Sequence, residues 1–544
     1  MAKTLRIVFY AINGGGVGHA TRLVAIGRWM RRYAAHAGYS VEPIFLSSSE
    51  ADQLLFAEGF PSFKVPSKAA ALTANLDKAT FYGLVKQWLW HSVGLLRPDL
   101  FVVDTFPRGS FGELPACLDL CKRRAFVYRP VRRELAEHVD FQTALGLYDA
   151  IVVPDDVVSL PLPAEVASRA AASGLIAARE RVELTSRARA RAQLGVPEGS
   201  LAVFASAGGG GDPHAAADLA VVKAWALARP DVVLVLGAGP LFTGPPEFHE
   251  RLRFWSAPGF GAMLEAADLA ISGAGYNSFA ELRQARVPTV FVPQDKVADE
   301  QLARAQRAVR AGAASLAVRP LSASALDAAV APFLSPDARL AAARAWEDLP
   351  PADGARRAAA QLLRLLVPAS ELEAAERAFT DEILALSREP GVDERALLAL
   401  MRVLGDAPLP TASMAAEGAE ATLEIAAVAR GLDVPFAEAA RLATLLVRKY
   451  EGAAPRDRAN AVIRVLRALA PFRDWRGAAA LVRAIPSRSL SDAAILVERT
   501  STSALDARED VYRAIQRVVG ADDDLARLKA GAVVSDDSLT EGAP

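Results

Sequence analysis

Cysteine is scarce in this sequence, and its scarcity excludes two kinds of site. The 544 residues include two cysteines, Cys117 and Cys121, four positions apart. Two thiols form neither a disulfide framework nor a complete zinc site, although this spacing would place both on one helix face. So few thiols are typical of a protein in a reducing compartment, and we therefore expect a cytoplasmic protein.

An excess of charge and a long apolar run are also missing. Lys and Arg number 62 and Asp and Glu 63, so the net charge of −1 provides no basic excess for binding nucleic acid. A local basic patch for peripheral contact with the inner face of the membrane stays open, because net charge does not describe distribution. No stretch reaches ~18 uncharged apolar residues, so we expect no membrane-spanning helix. The apolar run 7–12 is too short for a signal peptide and favours a first strand.

The first part of the chain alternates strand and helix patterns. Helical spacing occurs at 20–36 and over most of 69–96. Strands that alternate with helices along the chain indicate a parallel, doubly wound sheet. Pro43 weakens the second strand, since proline cannot donate a ladder hydrogen bond. We predict a Rossmann-like domain over 1–165 from the strand patterns at 5–12, 41–46, 99–104, 124–128 and 149–153.

The same pattern begins again in the second third of the chain. Residues 160–200 are rich in Ala, Arg and Pro, show little strand character and are interpreted as a connection with a helix. A second Rossmann-like domain is predicted over 166–366 from strand patterns at 201–206, 231–236, 268–272 and 288–292. Beyond it, Ala, Leu, Arg and Glu recur at helical spacing, which predicts an all-helical domain of unassigned role over 367–544.

A glycine loop follows the first strand and ends at a histidine. Gly14, Gly15, Gly16 and Gly18 precede His19 with the spacing G-x-G-x-G, and no acidic residue follows about 20 positions on, so a dinucleotide site is disfavoured. Glycines there permit close approach to a ligand, and the helix behind them offers free amides. His19 stands at the junction of loop and helix, where it could point into a cleft, be buried or cap the helix.

Asp104 ends the strand pattern 99–104, and the carboxyl ends of strands line the crevice of open α/β sheets. A carboxylate there could orient His19 and stabilise its protonated form, or it could simply cap a turn. In the second half, the loop Gly208, Gly209, Gly210 and Gly211 lies between strand and helix. It could cradle phosphate with its amides or form a flexible turn, but it lacks the ATPase-loop signature.

The most specific motif is ISGAGYNSFAEL at 271–282. A strand ends at Ser272, and we expect a helix capped by Asn277 or Ser278, whose free amides would suit a diphosphate. Glu281 would then lie one turn deeper on the face of Asn277 and could accept hydrogen bonds from both ribose hydroxyls, or merely complement the helix dipole. The polar stretch from Gln294 to Gln301 follows the next strand and could reach sugar hydroxyls.

These motifs resemble those of GT-B glycosyltransferases, in particular predicted bacterial enzymes related to the lipid II UDP-N-acetylglucosamine transferase. Residues 271–305 match the C-terminal signature of glycosyltransferase family 28, and NGGGVGHATR at 13–22 and RPDLFVVDTFPRGSFGELP at 97–115 resemble the N-terminal half. The resemblance spans about 5–366. The loop sequence GGGVGH departs from the GGTGGH of the lipid II enzyme, a difference that bears on the acceptor more than on the donor.

The resemblance implies a role for each matched residue. Gly275, Asn277 and Ser278 would hold the diphosphate, Glu281 the ribose, Gln301 the donor sugar, and Gly208, Gly209 and Gly210 the phosphate side of the cleft. Gly15, Gly16 and Gly18 would form the acceptor-side loop. Phe260 and Met263 fall near the uracil-binding stretch of the lipid II enzyme, at a different spacing. No metal and no cofactor are implied, since a GT-B site uses these donors instead.

We therefore predict transfer of a hexose or N-acetylhexosamine from a UDP-sugar to the hydroxyl of an acceptor, which is a lipid-linked or small molecule. His19 would remove the acceptor proton, with a pKa that Asp104 raises. Two alternatives stay open. A sugar-nucleotide 2-epimerase shares the two-domain fold, and a non-catalytic nucleotide-sugar-binding protein would use the same groove.

Overall fold

The computed structural model describes residues 3–376 except 13–16, 180–183, 186, 207, 209–213, 240–247, 256–259 and 297–298. The chain divides into two units, Met1–Arg377 and Ala378–Pro544, and the described residues belong to the first. Nearly all of the predicted helical domain at 367–544 therefore lies outside the described residues and stays a prediction. The first unit contains two α/β lobes, each built on one parallel sheet.

The first lobe has a seven-stranded sheet in the order β3-β2-β1-β4-β5-β6-β7. Its strands are β1 (Lys3–Ala11), β2 (Tyr39–Ser47), β3 (Ser62–Lys64), β4 (Leu100–Asp104), β5 (Arg124–Val127), β6 (Ala150–Val153) and β7 (Ala170–Ala172). Its helices are α1 (Gly18–His36), α2 (Gln53–Ala57), α3 (Lys68–Thr73), α4 (Lys78–Leu96), α5 (Pro115–Leu118), α6 (Arg133–Ala136), α7 (Val139–Leu145) and α8 (Ala164–Ala167).

The second lobe has a six-stranded sheet in the order β10-β9-β8-β11-β12-β13. Its strands are β8 (Leu201–Ser206), β9 (Val232–Gly237), β10 (Leu252–Trp255), β11 (Leu269–Ser272), β12 (Thr289–Phe291) and β13 (Ala314–Leu316). The helices that follow the connection are α9 (Arg187–Gln193), α10 (Ala215–Leu227), α11 (Tyr276–Ala285), α12 (Gln301–Arg310), α13 (Ala323–Val330), α14 (Pro336–Glu347) and α15 (Gly354–Leu363), with 3-10 helices at Phe260–Ala266 and Ala331–Phe333.

The strand predictions are confirmed for the inner strands of both sheets, whereas the edge strands β3, β7, β10 and β13 are not among the predicted ones. Pro43 lies inside β2 opposite Ile7, and it is tolerated because β3 pairs with β2 only from Phe45 to Ser47. At Pro43 the strand is thus an edge, where a missing amide costs no ladder bond. The expectation that residues 160–200 have little strand character overlooked β7, a three-residue alanine strand that pairs with β6.

Each sheet reverses its strand order beside its first strand, which places a crevice there. In the first lobe the reversal falls between β1 and β4, and in the second between β8 and β11. The register pairs Tyr10 with Val103 and Ser206 with Ser272, so the loops after all four strands leave at the crevice. Open α/β sheets bind ligands outside the carboxyl ends of the strands at this switch point.

The chain crosses between the lobes twice, and the crossings touch. Gly354, the first residue of α15, donates its amide to the carbonyl of Leu175 at 2.9 Å. A β-carbon at Gly354 would lie 2.2 Å from the carbonyl oxygen of Gly174, so glycine permits this close approach. Beyond the crossing α15 packs on α1, and Gln361 donates to the carbonyl of Ala172 at 3.1 Å. Helix α15 therefore belongs to the surface of the first lobe.

Candidate active site

The first lobe brings the two predicted catalytic side chains into contact. His19 is in the first turn of α1 after β1, and Asp104 is the last residue of the adjacent strand β4. His19 Nδ1 lies 2.6 Å from Asp104 Oδ2, with 14% of the His19 side chain exposed and none of that of Asp104. When Nδ1 carries the proton, Nε2 has a free lone pair for a substrate proton. The ring of Phe106 packs 5.9 Å from the imidazole.

Burial and charge set the protonation of this pair. Burial alone would raise the pKa of Asp104, but Arg22 and His19 outweigh it and lower that pKa to about 2. For His19, burial is the largest cause and lowers the pKa below its ordinary 6.5, while Asp104 acts in the opposite direction. The expected raising by Asp104 is therefore present but is outweighed by burial. Near neutral pH, Asp104 is charged and His19 is neutral, as a general base requires.

The second lobe presents the start of α11 to the same crevice. The helix begins at Tyr276, and Gly275 is the N-cap residue with an extended backbone, φ −58° and ψ 151°. The prediction of a cap at Asn277 or Ser278 is wrong, because both lie within the first turn. Among the described residues no side chain caps this helix. Asn277 instead reaches the other lobe, where its Nδ2 donates to the carbonyl of Gly18 at 3.2 Å.

Glu281 lies on α11 and faces the 3-10 helix Phe260–Ala266. A β-carbon at Gly261 would be 3.1 Å from its carboxyl carbon, so glycine there makes room for the carboxyl group. Burial raises the pKa of Glu281 to about 7. In the part of the chain that the structure describes, no residue donates a hydrogen bond to Glu281. A half-buried carboxyl group with no donor among the described residues is suited to accept ligand hydroxyls.

The remaining predicted donor-side residues divide into three groups. Gln301 is buried at the start of α12, and its Oε1 accepts from the amide of Gln294 at 3.0 Å. Gly208 has φ +86°, which glycine favours, and its amide donates to Ser206 Oγ at 3.1 Å. Ser278 is half-buried in the first turn of α11. Gly15, Gly16, Gly209 and Gly210 lie outside the described residues.

The two residues near the uracil-binding stretch occupy different environments. Phe260 stacks on Phe204 with ring centroids 4.6 Å apart and is half-buried, so an edge of the ring is accessible. Met263 is 6% exposed and packs in the core of the second lobe. Met263 therefore supports the fold beneath the site, and Phe260 is the one of the two that a ligand could reach.

Arginines between the lobes were not recognised as site residues from the sequence, and two of them pair with Asp299 of the predicted polar stretch 294–301. Arg22 binds both carboxylate oxygens of Asp104, at 3.1 and 2.5 Å. Arg129, which follows β5, pairs with Asp299 of the second lobe at 2.6 Å, and Arg304 of α12 pairs with the same carboxylate at 2.8 Å. Arg22 stands three residues after His19 in a helix, a spacing that places both on one face and could have indicated it.

The described residues contain neither a cluster of metal-ligating side chains nor a membrane-spanning helix. Within residues 3–376 and outside their gaps, no three His, Cys, Asp or Glu side chains are grouped so that they could hold a metal ion. Over those same residues, no helix combines the length and the apolar character needed to cross a bilayer.

Known proteins match this chain at the level of domain and architecture. A family model described as the glycosyltransferase family 28 C-terminal domain matches residues 232–358. Among solved structures, the glycotransferase of kitacinnamycin is 16% identical, covers 67% of this chain and 100% of its own, and has a TM-score of 0.47. MurG of Acinetobacter baumannii is 15% identical, with coverage of 66% and 99% and a TM-score of 0.43.

A third solved structure is described as a putative UDP-N-acetylglucosamine 2-epimerase of Listeria monocytogenes. It is 15% identical, covers 68% of this chain and 98% of its own, and has a TM-score of 0.49. A search of curated protein sequences finds no significant match.

Two parallel-sheet lobes whose switch points meet at one crevice are consistent with the GT-B architecture, and the domain matched within the second lobe is of the glycosyltransferase type. More particularly, the second lobe carries a glycosyltransferase family 28 C-terminal domain over residues 232–358. The resemblance of residues 271–305 to that family is thereby confirmed.

Proposed function

We propose that the protein transfers a hexose or N-acetylhexosamine from a UDP-sugar to an acceptor hydroxyl. The observation that carries this proposal is the meeting of two half-sites at one crevice. The His19–Asp104 pair comes from the first lobe and the start of α11 from the second, and Asn277 bonds to the carbonyl of Gly18 at 3.2 Å. A base and an anion-binding helix start are thus within reach of one bound substrate pair.

The second lobe would hold the donor. The unpaired amides in the first turn of α11 and the amide-rich loop at Gly208 would bind the diphosphate, because a helix start combines free N–H groups with a positive dipole end. Glu281, one turn deeper, would accept hydrogen bonds from the two ribose hydroxyls, and its ionised form accepts them most strongly. Gln301 lies near Gly275, where a β-carbon would be 3.7 Å from its Nε2, and it would contact the donor sugar.

The first lobe would supply the base. His19 Nε2 takes the proton of the acceptor hydroxyl as its oxygen bonds to the anomeric carbon and the bond from that carbon to the diphosphate breaks. UDP leaves with the bonding electrons, and the α11 amides stabilise its charge. The proton remains on His19, and Asp104 stabilises the imidazolium through Nδ1–H.

A thermal-shift screen followed by an incubation tests the donor class. We expect UDP-sugars to stabilise the full chain, by about 2.7 kcal/mol at 100 times the dissociation constant, and ADP- or CDP-sugars to do so less. Incubation with the best donor and candidate acceptors should release UDP only when an acceptor is present. Conversion of UDP-N-acetylglucosamine without any acceptor would instead indicate the epimerase, and binding without turnover would indicate a sensor.

A lipid-linked acceptor is supported by the exposed face of α4. Leu84, Trp90 and Leu95 are 59%, 45% and 84% exposed there, and the helix carries Lys78 and Lys86 but no acidic residue. Apolar and aromatic side chains among lysines suit the interface of an anionic membrane. We therefore expect the protein to sediment with phosphatidylglycerol vesicles, and Trp90→Glu with Leu84→Glu to weaken this more than the same change at exposed Leu340 of α14. Equal sedimentation of both variants would favour a small-molecule acceptor.

A further inference from the structure

Arg22 donates hydrogen bonds to Asp104, Thr105 and Asn277 in the candidate site. It lies on α1 one turn beyond His19 and is 2% exposed. Its Nε and Nη2 donate to Asp104 Oδ1 and Oδ2 at 3.1 and 2.5 Å, a two-point pair that fixes the plane of the carboxylate. The oxygen that accepts from Nη2 is the one that holds His19 Nδ1. The orientation of the imidazole therefore depends on a carboxylate that Arg22 holds in place.

The same guanidinium reaches across the crevice to the second lobe. Nη1 donates to Asn277 Oδ1 at 3.4 Å, and the guanidinium carbon lies 4.8 Å from the centre of the Tyr276 ring. Asn277 returns the contact through its Nδ2, which donates to the carbonyl of Gly18. The first turn of α11 is thus hydrogen-bonded to the first turn of α1, and Arg22 contacts both Asn277 of α11 and Asp104.

Tyr276 is itself fixed on the other side. Its hydroxyl donates to the carbonyl of Pro154, just after β6, at 2.7 Å and accepts from the amide of Ile176, in the interlobe connection after β7, at 2.8 Å. Arg304 lies 5.6 Å from the same ring and donates to the carbonyl of Ala274 at 2.6 Å. Movement of the connection would therefore shift the ring against which Arg22 packs.

We propose that Arg22 is a positioning residue that ties the His19–Asp104 pair to the first turn of α11, so that the base is held in its reactive orientation when the lobes are together. The proposal rests on the proposed function and adds a coupling between the donor half-site and the base. Arginine is required because its planar fork binds both carboxylate oxygens and still has Nη1 for Asn277. A lysine would keep the charge but could not make all three contacts.

The charges around His19 separate the role of geometry from that of charge. The groups that act on its pKa are Asp104 of β4, which raises it, and Arg22 of α1 and Arg129 after β5, which lower it. Removing the charge of Arg22 should raise the pKa of His19, whereas Arg22→Lys keeps the charge and changes the geometry. The two variants are therefore expected to differ in their pH profiles.

The test uses the full chain with ¹⁵N-labelled histidine, which has six signals to resolve. The His19 signal is assigned by its loss in His19→Ala, and it is followed against pH with and without UDP. In Arg22→Lys we expect an unchanged His19 pKa, a weakened Nδ1–H signal and a kcat lowered roughly tenfold, with the donor KM within a few-fold. In Arg22→Gln we expect the His19 pKa to rise, because a charge that lowers it has been removed.

Two further variants keep the test decisive. Asn277→Ala leaves the Arg22–Asp104 pair intact and should abolish the change in the His19 signal that saturating UDP causes in the unmodified chain. It provides the test of the coupling if Arg22→Gln does not fold. Arg28→Lys is the matched control, because Arg28 is on the same helix, is 3% exposed and donates to the carbonyl of Ala178. It should behave like the unmodified chain.

An Arg22→Lys protein with full kcat and an intact Nδ1–H signal would overturn the proposal, as would the same loss in Arg28→Lys. Failure of the proposed function is distinguishable, because the unmodified chain would then neither bind UDP nor transfer sugar. The His19 signal in the UDP-free variants would still report whether Arg22 orients the imidazole.

Discussion

Replacement of His19 by alanine is expected to lower kcat by roughly 10²- to 10⁴-fold while the fold and donor binding persist. The imidazole is the group placed to take the acceptor proton, and its Nδ1 is already bonded to Asp104 at 2.6 Å. Because burial lowers the pKa of His19 below 6.5, the acid limb of the kcat/KM profile should lie below that value. With saturating donor, so that the ionisation of Glu281 does not limit donor binding, kcat/KM for the acceptor should therefore be flat from pH 7 upward, and this limb should vanish in the variant.

The control for this prediction is His91→Ala, which removes an exposed imidazole of α4 and should leave the profile unchanged. Asp104→Asn should also lower kcat, since an amide can hold the wrong imidazole tautomer. Two nitrogens of Arg22 donate to the buried carboxylate of Asp104. Loss of the Asp104 charge should therefore also lower the free energy of unfolding, by roughly 3–5 kcal/mol. If the steady-state rates of His19→Ala were within a few-fold of those of the unmodified chain, His19 would not be the general base.

The contact between His19 and Asp104 was predictable because it follows from strand order. The two residues are 85 positions apart, yet each stands at the carboxyl end of a strand or just after it. Parallel strands on either side of a switch point bring such ends together whatever their separation along the chain. The glycine loop and the aspartate could therefore be assigned to one crevice from the pattern alone.

The start of α11 shows where local patterns are insufficient. Asn277 and Ser278 have good capping side chains, but glycine also occupies cap positions and Gly275 comes first. The Asn277 side chain is used instead for a contact with Gly18, 259 residues away. Interlobe pairs such as Arg129 with Asp299 depend on how the lobes face each other, which no periodicity within either lobe encodes. The edge strands β3, β7, β10 and β13 were missed for another reason: they are only partly buried and lack the continuous buried apolar run that marks the equally short inner strands β5, β6, β11 and β12.

Replacement of Glu281 by glutamine is expected to stabilise the free protein at pH 8 and to weaken UDP binding. Burial raises the pKa of Glu281 to about 7, above its ordinary value of 4.5. The folded state therefore prefers the protonated carboxyl, and the penalty for ionisation is absent below pH 4.5, grows as the pH rises to 7 and is constant above it. Its upper limit is roughly 3 kcal/mol, which glutamine would relieve. Thermal unfolding of both proteins at pH 5 and pH 8 measures the difference.

Binding provides the second half of this prediction, and it identifies the ligand group that Glu281 contacts. The ionised carboxyl accepts two ribose hydroxyls, so the unmodified chain should bind UDP more tightly than 2′-deoxy-UDP, by roughly tenfold, and more tightly at pH 8 than at pH 6. In Glu281→Gln, the ratio of the affinities for UDP and 2′-deoxy-UDP and the ratio of the affinities at pH 8 and pH 6 should both fall toward one. Glu265→Gln, at a half-buried position in the neighbouring 3-10 helix, is the matched control and should retain them. If Glu281→Gln still distinguishes the two nucleotides as the unmodified chain does, the ribose lies elsewhere and the donor half-site must be reassigned.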